Sequence, residues 1–251
     1  MKRLVIAAVT TLALAAATMA HATPSTQIWI PSTDVQAFKT VHLGVDNYVR
    51  TSNNSAGTRD PNIFDAGLTA GVLPFEKVQM EVGIDYLSTA NAYDSYPLYF
   101  NSKLGTPEDS LFKFSPALAI GAYNFGTNSK ASSPVRTDQN IVYALAARTL
   151  PVVGRLSAGY YTGNDKVLLD ENGKKANDGV LLSLDRTMSE ISDKLWAGID
   201  YQGGKSSVGA LSFGVSWAFT KDISLIVGYD IWNNKKVAGQ NTVTTQLDIN
   251  F

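Results

Sequence analysis

Along much of the chain, apolar side chains recur at every second position. Val78, Met80, Val82, Ile84 and Tyr86 are apolar, while Lys77, Gln79, Glu81, Gly83 and Asp85 between them are polar or glycine. A period of two sends the two sets to opposite faces of one strand. The closing residues repeat it, with Val243, Thr245, Leu247, Ile249 and Phe251 on one face. Thr244, Gln246, Asp248 and Asn250 take the other. Comparable segments occupy 40–51, 63–73, 97–104, 112–124, 139–149, 153–162, 179–185, 193–202, 207–219 and 222–232. With 76–87 and 243–251 they predict an all-β chain of about twelve strands, in a range of about ten to fourteen.

The links between these strands are sorted by length. Long polar links at 52–62, 88–96, 125–138, 163–178 and 233–242 alternate with tight ones at Pro74-Phe75, 105–111, 150–152, 186–192 and Thr220-Lys221; only 203–206 breaks the rule. Long loops at one end and tight turns at the other, with an even strand count, predict a single transmembrane antiparallel β-barrel. A soluble β-sandwich has no reason to sort its loops in this way. A Gly-x-Asp or Gly-x-Tyr unit marks the odd strands, with its glycine at 44, 83, 121, 159, 198 and 228. The first four intervals are about 38 residues and the last is about 30, the length of two strands and two links.

The two kinds of face differ in what they can meet. An ionised side chain at mid-bilayer costs about 2–4 kcal/mol for Lys or Arg in a barrel. Glu81, Asp85, Lys103, Lys113, Arg148, Asp200 and Asp230 are therefore expected to face inward as pore-lining residues. Asp46, Asp85, Asp200 and Asp230 fall near the outer ends of upward strands, with Tyr123 and Tyr161 at the matching level. An open barrel would then carry a partial acidic ring, which favours cations, and an aromatic arc. Lys77, Lys103, Lys113 and Arg148 are expected lower down as lumenal ion pairs. Tyr48, Tyr86, Tyr201 and Trp232 above, and Trp217, Phe219, Phe112 and Phe251 below, are expected to form two interfacial girdles.

The amino terminus reads as an address. Lys2 and Arg3 precede an apolar run from Leu4 to Ala17, and Ala20-His21-Ala22 offers a small-residue cleavage site. That tripartite pattern predicts a secretory signal peptide over 1–22. Residues 23–39, with Ile28-Trp29-Ile30-Pro31, form a periplasmic tail or a lumenal segment, and 40–251 form the barrel. Beyond the leader no stretch is apolar enough over about 18 residues to be a spanning helix.

These features together resemble the Gram-negative outer-membrane β-barrel proteins, over essentially all of 40–251. The resemblance implies an outer-membrane location, contact with its lipid, and a terminal strand read by the barrel-assembly machinery and periplasmic chaperones. That signal would be carried by Leu247, Ile249 and Phe251.

Composition narrows the chemistry. Of 251 residues, 17% are charged, with a formal net charge of −1 and no Cys. Such a balance offers nucleic acid nothing to hold, and without Cys there is no thiol catalysis, Cys-ligated zinc or iron–sulfur cluster. No cofactor is expected. The barrel segment holds one histidine, His42, which would face inward beside strand twelve, near Gln246, Asp248 or Asn250 and across from Thr69. A hydrolase dyad built on His42 is the minor expectation, and a wall histidine the stronger one. Asp165, Asp170, Glu171, Asn172, Gly173 and Asp178 make an acidic loop whose spacing misses the EF-hand pattern, so no metal site is expected. The sequence points to a narrow pore for small solutes and not to an enzyme. A structural or adhesive barrel working through its loops is the alternative.

Overall fold

The computed structural model describes residues 25–251. The signal-peptide reading of 1–22 lies outside the described residues. Twelve strands follow one another around a closed barrel. They are β1 (Val41–Arg50), β2 (Ile63–Gly71), β3 (Gln79–Ser88), β4 (Leu98–Thr106), β5 (Ala117–Gly126) and β6 (Asp138–Leu150). The second half holds β7 (Gly154–Thr162), β8 (Asp178–Thr187), β9 (Leu195–Gln202), β10 (Ala210–Ala218), β11 (Ile223–Trp232) and β12 (Thr242–Asn250). Each strand pairs antiparallel with its sequence neighbours, and β1 closes on β12 from His42↔Asn250 to Arg50↔Thr242. Among the described residues no helix is long and apolar enough to cross a membrane.

Alternation fixes the wall. In β3, Glu81 is buried while Val82, Ile84 and Tyr86 are exposed to the outside. Leu118 and Ile120 of β5, Leu182 of β8, Val215 of β10 and Val227 of β11 extend the same apolar belt. This belt is the surface that hydrocarbon covers.

Three departures from the sequence reading have physical causes. First, β5 begins at Ala117, because 107–116 folds as a compact turn: the Phe114 amide donates to Asp109 Oδ1 at 2.7 Å, and both residues have positive φ. Lys113 lies exposed in that turn, its Nζ 5.2 Å from the Phe114 ring centroid, and not on the strand wall. Second, β6 is apolar on both faces. Ile141, Tyr143 and Leu145 are buried inside, so the opposite parity, which includes Val142 and Arg148, points outward. Arg148 sits at the tight-turn rim, 2.8 Å from Asp109 and 3.3 Å from Glu108. Third, Tyr48 and Trp232 turn inward instead of joining a girdle; each packs edge-on against Trp29, at centroid distances of 5.5 and 4.8 Å.

The inward face of β6 is apolar because the amino-terminal segment lies against it. Residues 25–32 form a tight hairpin inside the barrel, with a bridge between Thr26 and Pro31. The Gln27 amide donates to Ile30 O at 2.8 Å. Ile30 packs with Ile141, Tyr143, Leu145, Tyr161, Leu168, Leu181 and Val208; Ile28 packs with Trp196 and Ile226. Complete burial of each isoleucine stabilises this arrangement by about 1.5–3 kcal/mol. Residues 33–39 then cross the tight-turn mouth as a strap, from Arg155 on β7, which binds Asp34, to Gly71 on β2. Lys39 N donates to Gly71 O and Gly71 N to Thr40 O, both at 3.1 Å.

Gly71 is needed for that approach, since a Cβ there would overlap the carbonyl oxygens of Gln36 and Ala37. Gly71→Val is expected to lower unfolding stability in detergent by about 1–3 kcal/mol, read by urea titration with tryptophan fluorescence. An unchanged midpoint would show that the strap is not packed against β2.

Candidate functional site

The lumen is divided lengthwise. Its β7–β12 side is occupied by the hairpin. Asp200, on the inward face of β9, accepts the Ile28 and Trp29 amides at 2.8 and 2.9 Å. Gln246 of β12 donates to Ile28 O at 2.7 Å, and the Trp29 indole N–H to Val208 O at 2.8 Å. The Ile28 and Trp29 amides and the Ile28 carbonyl thus meet wall groups, Asp200 and Gln246, placed by strand parity. Buried polar groups are tolerable only when so satisfied.

The β1–β5 side is open. A cavity of about 510 Å³ runs down it, from Pro61, Thr89 and Tyr93 of the long loops to the level of Glu81 and Lys103. At its floor, Lys103 Nζ lies 3.1 Å from Glu81, both nearly inaccessible. Glu81 also accepts the Ser25 hydroxyl at 3.0 Å and the Gln36 amide at 2.6 Å, tying the ion pair to both ends of the plug. Higher up, Asp46, Asp65 and Asp85 line the cavity from three adjacent strands. Asp46 and Asp65 are cross-strand partners, and Asp85 lies opposite Gly67, two residues along β2. Asn101 donates to Asp85 at 2.7 Å. Among the described residues, no Lys or Arg forms an ion pair with these three carboxylates. Trp29, Tyr48, Tyr99 and Tyr123 supply aromatic wall.

Of the residues that sequence nominated for the lumen, Asp46, Glu81, Asp85, Lys103 and Tyr123 border this cavity. Asp200 lies beneath the hairpin. Asp230 accepts the Thr242 hydroxyl at 2.7 Å on the strand wall. Tyr161 is wholly buried in the apolar cluster, its hydroxyl donating to Gly203 O at 2.7 Å. Lys113 and Arg148 are rim residues, as described above. Asp65 is the residue that sequence reasoning missed. It is one of two polar positions in Ile63-Phe64-Asp65-Ala66-Gly67-Leu68-Thr69, where alternation is weak. Its parity with Thr69 was the available signal.

His42 is buried near the floor. Its Nδ1 lies 3.3 Å from Asn250 Oδ1 and its Nε2 3.5 Å from Asp248 Oδ1. Both ring nitrogens are engaged by the strand-twelve wall, the geometry of a structural histidine.

The acidic loop between β7 and β8 disperses its carboxylates. Asp170 accepts the Asn172 and Lys174 amides at 2.8 and 2.9 Å, Asp165 pairs with Lys175, and Glu171 accepts from Asn234 at 2.5 Å. Tyr160 donates to Asp178. Among the described residues, no three His, Asp or Glu groups gather closely enough to hold a metal ion.

No family model matches the chain, and no curated protein matches it. Among solved structures it is similar to the COG4313 outer membrane channel from Pseudomonas putida F1, at 12% identity, covering 86% of this chain and 97% of that chain, with a TM-score of 0.49. It is also similar to NanC porin, at 8% identity, 83% and 98% coverage and a TM-score of 0.48. A third is Salmonella typhi OmpF in complex with daunomycin, at 9% identity, 85% and 97% coverage and a TM-score of 0.44.

Two predictions follow from these contacts. Asp200→Ala removes the oxygen that accepts both the Ile28 and Trp29 amides, at a cost of about 1–3 kcal/mol for each buried donor left unpaired. Limited proteolysis should then cleave within 25–39 faster while the barrel core stays resistant; an unchanged cleavage rate would show that Asp200 does not anchor the hairpin. In the β7–β8 loop, the Lys174 and Asn172 amides hold the Asp170 carboxyl below its usual range. A lowered value means the turn is stabilised above the ordinary carboxylate pKa of about 3.9 and loses this only as pH falls through the depressed value. Amide exchange at Gly173 and Lys174 should therefore stay slow at about pH 4, and should become fast there in Asp170→Ala.

Proposed function

We propose that this protein is an outer-membrane channel for small solutes, with a narrow path along the β1–β5 side of its lumen. One observation carries the reading. Of the described residues, the amino-terminal 25–39 pack against one side of the interior, and on the other side a charged cavity of about 510 Å³ reaches the loop end. A barrel serving only as a surface scaffold would gain stability from filling that space.

In this reading the pore-lining groups are Asp46, Asp65, Asp85, Tyr123 and the Glu81–Lys103 pair. The strap at 33–39 narrows the periplasmic end. Asp200, Asp230 and Tyr161 hold the wall and plug, and His42 is part of the wall and not a catalytic base. Residues 1–22 act as a secretory leader that is removed, and Leu247, Ile249 and Phe251 form the terminal strand engaged by the assembly machinery and its chaperones. The apolar belt contacts outer-membrane lipid.

Reconstitution into planar bilayers tests the channel. The full barrel is expected to show small unitary conductance that favours cations over anions. Deleting 27–32, the hairpin tip, is expected to raise the conductance severalfold, because the lumen widens while the strand ladder is untouched. A folded deletion variant that never conducts would overturn the assignment.

A further inference from the structure

We propose that the open half of the lumen is a binding site for a small organic cation, a protonated amine carried on a flat, hydrogen-bonding body. The inference deepens the channel reading and rests on it for the route by which such a solute arrives.

Charge is the first observation. Asp46 and Asp65 face each other directly across β1 and β2, with Asp85 on the next strand. Like charges in opposed cross-strand positions destabilise a sheet unless a counter-charge offsets them. The cations that border the cavity are engaged elsewhere. Lys103 pairs with Glu81 and Arg136 with Asp138. Arg50 donates to Gln240 O at 2.5 Å and Pro61 O at 3.2 Å. Asp65 Oδ1 is enclosed and accepts no hydrogen bond.

The second observation is independent of the carboxylates. Trp232 is 4% exposed, turns inward from β11 and borders the same cavity, yet its indole N–H has no partner. A buried indole N–H normally finds an acceptor. The cavity thus lacks both a cation at one wall and an acceptor at another.

The rings decide between a bare ion and an organic one. Trp29, Tyr48, Tyr99 and Tyr123 present aromatic surface around a volume of about 510 Å³, which is within the range of small-molecule sites. Aromatic faces attract ammonium groups and stack on flat bodies. A metal ion would use neither the rings nor the indole, and the carboxylates do not gather into a metal-binding set among the described residues.

Calorimetric titration of the full barrel in detergent, with three matched phenols, tests this. Tyramine carries the ammonium, tyrosol replaces it with a neutral hydroxyl, and 4-hydroxyphenylacetate replaces it with an anion. Tyramine is expected to bind saturably at one site, tyrosol at least about tenfold more weakly, since a charge-assisted bond is worth that factor or more. The acetate should not compete. Asp65→Asn and Asp85→Asn, each confirmed as folded by heat-modifiable gel mobility, should weaken tyramine by about tenfold and leave tyrosol unchanged. Trp232→Phe should weaken both phenols. Equal affinity for tyramine and tyrosol, absence of saturable tyramine binding, or full affinity in both Asp variants would overturn the inference. Conductance without tyramine binding would remove the site and leave the channel; tyramine binding without conductance would remove the channel and leave the site.

Discussion

A strand in hydrocarbon has no water to satisfy its N–H and C=O groups, and each unpaired group costs several kcal/mol. Every strand must therefore have two neighbours, and the only sheet that meets this demand is closed. Here the closing ladder is β1 against β12, from His42↔Asn250 to Arg50↔Thr242. Once that seam is made, the side-chain period of two does the rest. Each strand offers one row to lipid and one to a shared interior, and a slip by one residue would exchange the rows.

Closure also creates an interior that must be accounted for atom by atom. The chain answers with its own amino-terminal segment, tethered immediately before β1 by the Lys39 and Gly71 hydrogen bonds. The hairpin hydrogen-bonds to Asp200, Gln246 and Val208 O, while Ile30 meets the apolar face that β6 turns inward. This explains why carboxylates that look alike in sequence have different roles. Asp200 and Asp230 each accept hydrogen bonds through one oxygen, from the plug and the wall respectively, whereas Asp46, Asp65 and Asp85 line the cavity. The plug lies to one side of the lumen and leaves a cavity in which charge and aromatic surface meet.

How far the site was legible depends on how cleanly each segment alternates. Alternation is clean from Gln79 to Tyr86 in β3 and from Gln246 to Asn250 in β12, so the inward positions of Glu81, Asp85, Gln246 and Asp248 are readable from spacing alone. β6 is apolar or aromatic at every position from Ile141 to Ala147, and its parity is invisible until the hairpin is in place. Arg148 therefore falls on the outward parity, its charge accommodated at the rim by Asp109 and Glu108. Lys113 left the wall because two residues of positive φ fold its segment as a turn. Tyr48 and Trp232 looked like girdle residues by position along the strand, but parity and Trp29 drew them inward.

The sequence by itself determined the strand number, the sorting of loops to one end and turns to the other, and the polar and apolar faces of most strands. These are local properties, set by side-chain period and turn chemistry. What only the tertiary structure decided is which inward groups are spent and which remain available. That outcome depends on contacts between residues far apart in the chain, such as Ile28 with Asp200, Asp34 with Arg155, and Asp46 with Asp65. No periodicity encodes where an irregular segment will lie once the barrel has closed around it.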